Sequence, residues 1–232
     1  MDNLYDKIKS NKFIIAGPCV LEDYNTSLMI AEFVDTVCKK YGFTFIFKAL
    51  SKKFYTTTDI HTPNQAKEIA DYVDIIQIPS FLSRQTDLLT AAGETNKIVN
   101  VKKFQLLAGK DMIRPIEKIL STGNNKITLT ERGTLIPYGN IIVDLRNLVD
   151  MVKLGYPVIM DCTHSCQVLN EGQTKTSGRK EMASIYGQEA SICGVKGFFS
   201  EIYKTPDKAL CDASTSLDFI EFEQLVKKIF NG

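Results

Sequence analysis

The sequence predicts a TIM (β/α)8 barrel forming one domain over residues 1–232. Three observations carry that expectation. Eight short β-branched runs recur along the chain, and most are each followed by a longer stretch of helical periodicity. Most of the runs are continuous apolar segments, as strands buried on both faces require. No internal repeat, low-complexity tract or Pro/Gly-rich linker divides the chain.

The predicted strands are Phe13–Gly17, Phe43–Lys48, Tyr55–Ile60, Asp74–Pro79, Lys97–Lys103, Lys126–Arg132, Pro157–His164 and Gly197–Tyr203. Helices are predicted over Thr26–Tyr41, Pro63–Val73, Arg84–Ala92, Asp111–Ser121, Ile141–Lys153, Lys180–Cys193 and Leu217–Phe230, several opened by Thr, Ser or Asp near the cap position. One crossover lacks its helix. Only Ala49 to Phe54 separate the second and third runs, whereas a parallel crossover takes about a dozen residues or more. That spacing predicts a loop and helix missing at this point, with an intact mass above 26.0 kDa as its sign.

Composition narrows the function. With 44% hydrophobic and 24% charged residues, the chain is neither disordered nor fibrous. The 28 basic and 27 acidic side chains leave a net charge of +1, so no global field favours nucleic acid or an anionic membrane, and anion binding must be built locally. No run approaches a membrane span, and MDNLYDKIKS lacks the apolar region of a secretory signal, which makes the cytoplasm the expected compartment. The six cysteines form no CxxC pair, so neither a zinc ribbon nor a disulfide framework is expected.

A barrel of this kind works at the C-terminal ends of its strands. There the sequence places Cys19, Lys48, His61, Gln77, Lys102, Lys103, Gln105, Arg132, His164 and Glu201, with Asp212 a little beyond the last strand. Lys48, Lys102, Lys103 and Arg132 would ring one mouth with positive charge, an arrangement suited to phosphate and carboxylate. The alternative is a solvated rim. Cys19, His164, Glu201 and Asp212, from the first, seventh and eighth strand ends, would offer a thiolate, an imidazole and two carboxylates to zinc, iron or manganese. Only two histidines exist, and each could equally be a packed core residue.

Taken in order, IAGPCVLE (Ile15–Glu22), FKA (Phe47–Ala49), TDIHTP (Thr58–Pro63), VDIIQIPSFLSRQTDLL (Val73–Leu89), IVNVKKFQ (Ile98–Gln105), TERG (Thr130–Gly133), PVIMDCTHSCQ (Pro157–Gln167) and GFFSEIYKTPDKALCD (Gly197–Asp212) resemble the 3-deoxy-D-manno-octulosonate 8-phosphate synthases. The resemblance implies a homotetrameric transferase that condenses phosphoenolpyruvate with D-arabinose 5-phosphate in lipopolysaccharide sugar synthesis. It implies that Lys48, Lys102 and Arg132 hold the phosphate and carboxylate of phosphoenolpyruvate, with Gln77 and Gln105 as lesser contacts. His61 matches a histidine near the reacting carbons, and Arg84 one that reaches a neighbouring subunit to hold the sugar phosphate. A cysteine at the position of Cys19 marks the metal-dependent members, with His164, Glu201 and Asp212 as the other ligands.

The departures fall mainly in loops. Leu50, Ser51 and Lys52 stand where the family carries a Lys-Ala-Asn-Arg-Ser sugar loop, at the same point as the short crossover. Smaller ones are Ala213, Tyr203 and Ile136-Pro137. Two rivals remain: a 3-deoxy-D-arabino-heptulosonate 7-phosphate synthase, against which RQTDLL argues, and a silent barrel kept as a binding protein, against which the retained charges argue.

Overall fold

A computed structural model describes residues 3–20, 22–136, 140–168 and 177–232. Eight parallel strands close into a barrel: β1 (Phe13–Gly17), β2 (Thr44–Phe47), β3 (Tyr55–Asp59), β4 (Ile75–Ile78), β5 (Ile98–Lys102), β6 (Ile127–Glu131), β7 (Val158–Asp161) and β8 (Gly197–Glu201), with β8 pairing back onto β1. Each lies within its predicted run. Around them stand α1 (Leu4–Ser10), α2 (Tyr24–Tyr41), α3 (Pro63–Ala70), α4 (Thr86–Glu94), α5 (Ile113–Leu120), α6 (Leu145–Lys153), α7 (Ala183–Ile192) and α8 (Phe219–Asn231).

Local chemistry explains the helix ends. Asp23 caps α2 through Thr26 N–H, and Gly42 stops it at φ 74°, a conformation that suits glycine. Pro63 opens α3 behind a Thr62/Gln65 capping box, and Asp218 with Glu221 builds another at α8. Two readings need correction. α1, too short for the sequence pattern to reveal, closes the N-terminal end of the barrel: Leu4, Tyr5 and Ile8 pack on Phe13, Ile15, Ile46, Ile75, Ile98, Ile159 and Phe199. Ile141–Ile142, expected to begin a helix, instead pairs antiparallel with Thr134–Leu135, and α6 starts only at the Asp144 cap.

The short crossover lacks its helix, as expected, and only the expectation that so few residues could not join the two strands needs correction. β2 and β3 pair directly, Ile46 with Tyr55 and Phe47 with Thr56, although only residues 48–54 connect them. The barrel closes because β3 is staggered. Its first residue is level with the third of β2, so the chain steps back about one position and sideways by one strand spacing of roughly 4.8 Å. Seven residues at up to about 3.5 Å each span that easily. One flank of α2 and this connection then bound a groove of about 980 Å³ that includes Leu28, Ala31, Phe47, Leu50, Phe54 and Tyr72.

Along each strand the two-residue period sorts side chains into interior and exterior. Inside, an apolar floor of Phe13, Ile15, Ile46, Ile75, Ile98, Ile159 and Phe199 is followed by a polar layer and then by the charged mouth. Outside, Ile76, Val99, Val101, Leu129, Met160 and Phe198 pack beneath the helices.

Candidate active site

Alternation decides which strand-end residues meet. Lys102 follows Ile98 and Asn100 on the inward face of β5, while Lys103 follows Val99 and Val101 outward. Lys103 is therefore not a mouth cation, contrary to expectation. It is fully buried outside the barrel, 3.5 Å from Glu131 Oε2, and donates to the carbonyls of Phe104 and Leu107. Burial lowers the Lys103 pKa and raises that of Glu131, whose other oxygen accepts from Gly133 N–H.

Four carboxylates at or near the mouth organise the rest. Asp161 ends β7 fully buried, and its Oδ2 lies 2.8 Å from His164 Nδ1 and 2.9 Å from Lys102 Nζ. Burial alone would raise its pKa, but His164, Lys102 and Arg132 outweigh burial and hold the carboxyl well below the usual range. Glu201 ends β8 with Oε1 at 3.0 Å from Lys48 Nζ and 3.4 Å from His164 Nε2. Burial opposes the charge on Lys48, yet Glu201, Asp59 and Asp161 together raise its pKa. Asp212 follows in a left-handed conformation, φ 49°, with Oδ2 at 3.9 Å from His164 Nε2. Asp59 ends β3 and accepts at 2.6 Å from Gln77, which in turn accepts from Asn100 at 2.9 Å. Gln77 thus belongs to the polar layer below the charges.

Arg132 reaches the same group indirectly. Its guanidinium donates to Gln167 Oε1 at 2.9 Å, and Gln167 Nε2 donates to Asp212 Oδ1 at 2.8 Å. Phe199 rises from the apolar floor beneath the cations, its ring centroid 3.9 Å from Lys102 Nζ and 5.9 Å from Lys48 Nζ. Gln105 is buried with an unpartnered Oε1. His61 and Arg84 lie apart, exposed on the loops after β3 and before α4. The loop variation at Ile136-Pro137 runs into residues outside those described.

The four expected metal donors come together. His164, Glu201 and Asp212 form one triad with ligand atoms within 4.8 Å of one another, and Cys19, Cys211 and Asp212 form a second that shares Asp212. Cys19 Sγ lies 3.3 Å from Asp212 Oδ2. The donor types fit a divalent cation, and Glu201 Oε2 is a buried oxygen with no hydrogen-bond partner, as an atom reserved for a cation would be. One feature was not expected: Cys19 and Cys211 are joined as a disulfide, with Cα atoms 6.4 Å apart. The end of β1 and the segment before Asp212 meet here, which sequence separation conceals.

Sequence reading missed the roles of Asp161, Gln167, Asn100 and Cys211. Asp161 and Asn100 carried a signal, because they share the inward parity of Ile159 and Ile98.

A closed parallel barrel whose C-terminal mouth gathers lysines, an arginine and a mixed Cys/His/carboxylate set has the make-up of a TIM-barrel enzyme for anionic substrates. The chain belongs to the DAHP synthetase I family, whose model matches residues 50–231. Its relatives include proteins named 2-dehydro-3-deoxyphosphooctonate aldolase. That of Geobacter sulfurreducens is 37% identical over 245 residues, covering 93% of this chain and 90% of the relative. Those of Desulfosudis oleivorans (39% over 243 residues; 92% and 87%) and Nitratidesulfovibrio vulgaris (37% over 257; 98% and 94%) are similar. In the last comparison, 98% of 232 residues is about 227, some 30 fewer than the 257 positions spanned. The chain is thus internally shorter than this relative. Among the described residues no helix is long and apolar enough to cross a membrane.

Proposed function

We propose that this chain condenses phosphoenolpyruvate with D-arabinose 5-phosphate and water, giving 3-deoxy-D-manno-octulosonate 8-phosphate and inorganic phosphate. One observation carries the reading: Lys48, Lys102 and the Arg132–Gln167–Asp212 chain converge with the His164/Glu201/Asp212 triad on a single mouth. The names of the relatives agree with it.

Lys48, Lys102 and Arg132 bind the phosphate and carboxylate, with Gln105 and, beneath them, Gln77 as lesser polar contacts. The lysines also neutralise charge on the reacting enol. The methylene carbon attacks the aldehyde, water adds to the neighbouring carbon, and the hemiketal phosphate breaks its carbon–oxygen bond to release phosphate. His61 is the proton-transfer group at the rim.

Cys19, His164, Glu201 and Asp212 are the residues to hold a zinc, iron or manganese ion, which when bound orients the aldehyde and a water or acts as a Lewis acid. Charge argues for a cation here. Lys48 is paired with Glu201 and Lys102 with Asp161; were Glu201 to serve as a ligand, the Lys48 ammonium would be left to meet the substrate anion. The assembly is a homotetramer in which Arg84 reaches the neighbouring sugar phosphate. Phosphorylated substrates, which do not cross membranes unaided, place the work in the cytoplasm.

The seven-residue β2–β3 connection favours one rival, a barrel that has lost its acceptor loop and binds without turnover. Phosphate release from phosphoenolpyruvate, measured with arabinose 5-phosphate or erythrose 4-phosphate and with or without chelator, separates these. Arabinose-dependent, chelator-sensitive release is expected. Release with erythrose alone would make this a seven-carbon synthase, and none with either sugar would leave the silent barrel.

A further inference from the structure

The Cys19–Cys211 pair lies on the metal donors themselves, since both sulfurs share a cluster with Asp212. Cys19 cannot serve as a thiolate ligand and as half of a disulfide at the same time. The remaining donors, His164, Glu201 and Asp212, stand within 4.8 Å of one another in the disulfide form. We propose that Cys211 is a redox-modification site whose oxidation withdraws Cys19 from the metal set, so that the mouth exists either as a four-donor cation site or as a three-donor disulfide form.

This rests on the metal reading above and adds a residue which that reading leaves unused. The oxidant class is a peroxide. With Cys19 engaged on the cation, Cys211 is the sulfur of the pair that no cation holds. Its thiolate attacks one oxygen of hydrogen peroxide, the O–O bond breaks, and hydroxide leaves to be protonated to water. The Cys19 sulfur then attacks the Cys211 sulfenic sulfur, the S–S bond forms, the S–O bond breaks, and the departing hydroxide takes up a proton. Two electrons pass from two sulfurs to one peroxide, yielding two waters.

The pair is selective. Cys162 and Cys166 are buried, their thiols lie against the carbonyls of Met160 and Cys162, and burial pushes Cys162 well up and Cys166 to about 12. Both therefore stay as inert thiols. Cys19 and Cys211 are only half-buried, and their Cα separation of 6.4 Å falls within the range a disulfide bridges, so the backbone need not move far.

The test uses full-length protein reduced, loaded with zinc and freed of excess metal. Zinc per chain, free thiols and intact mass are followed on adding hydrogen peroxide, with a non-reducing peptide map. The expected result is loss of two thiols and about 2 Da, a cross-linked peptide joining Cys19 to Cys211, and release of zinc in step with it, reversed by reductant plus zinc. Cys211→Ser should load zinc as the parent does and release it at least about ten-fold more slowly. Release from Cys211→Ser at the parental rate, or zinc held while the cross-link forms, overturns the proposal. If the reduced parent takes up no zinc, the metal reading falls with it, whatever the peptide map shows.

Discussion

One carboxylate oxygen of Asp161 fixes the ring of His164: Oδ2 sits 2.8 Å from Nδ1, and Oδ1 accepts the His164 backbone N–H at 2.9 Å. The ring is thereby turned to present Nε2 toward Glu201 and Asp212. A partner on the far nitrogen sets the tautomer and basicity of a ligating imidazole, and its loss costs about 10–100-fold in metal affinity. Asp161→Asn should therefore weaken zinc binding by that factor in a competition titration. An unchanged affinity would show that His164 is oriented by something else.

The same carboxyl makes stability depend on acid. Its folded pKa is depressed while its unfolded value is near about 3.9. The stabilisation is thus fully present above that value and is lost as pH falls below it toward the folded pKa. The melting temperature of metal-free protein should begin to drop near about pH 4 and go on falling as the pH is taken lower. The drop should be shallower in Asp161→Asn, and parallel curves would contradict the assignment.

Lys103 and Glu131 make a buried pair outside the mouth. Lys103→Met leaves a buried carboxyl without its cation and should cost about 3–5 kcal/mol in denaturant unfolding. Lys103→Met with Glu131→Leu should recover much of that cost. The KM for phosphoenolpyruvate should stay near the parental value in any variant that folds, since Lys103 faces away from the substrate.

Gly17 is a spacing residue for Lys48. A Cβ there would stand 3.0 Å from the Lys48 carbonyl oxygen and 3.1 Å from its Cβ, closer than ordinary contact. Gly17→Ala should displace the ammonium from the mouth and raise the KM for phosphoenolpyruvate several-fold, with circular dichroism unchanged. Equal KM values would mean that Lys48 absorbs the shift or does not touch the substrate.

The strands and most helices were legible because burial on both faces leaves continuous apolar runs such as Phe13–Gly17 and Ile98–Lys102. The meeting of Cys19, His164, Glu201 and Asp212 at one mouth was legible because strand ends converge in a barrel. What escaped notice depended on register or through-space pairing. The stagger of Tyr55 against Ile46 has no local signature, and it overturned the argument that six residues were too few. Parity along β5 would have sent Lys103 outward had it been counted from Ile98. Cys211 sits 192 residues from Cys19, and nothing in one sequence marks such a pair.

Phe199 has a consequence beyond packing. Its ring joins the apolar floor and lies directly under Lys102, so the ammonium rests on a dry aromatic face at the bottom of the mouth. Water is kept from gathering below it, and Asp161 at 2.9 Å is the counter-charge beside it. The barrel stem thus acts as an insulator behind an electrode, leaving the lysine's attraction directed outward, where an incoming anion would meet it.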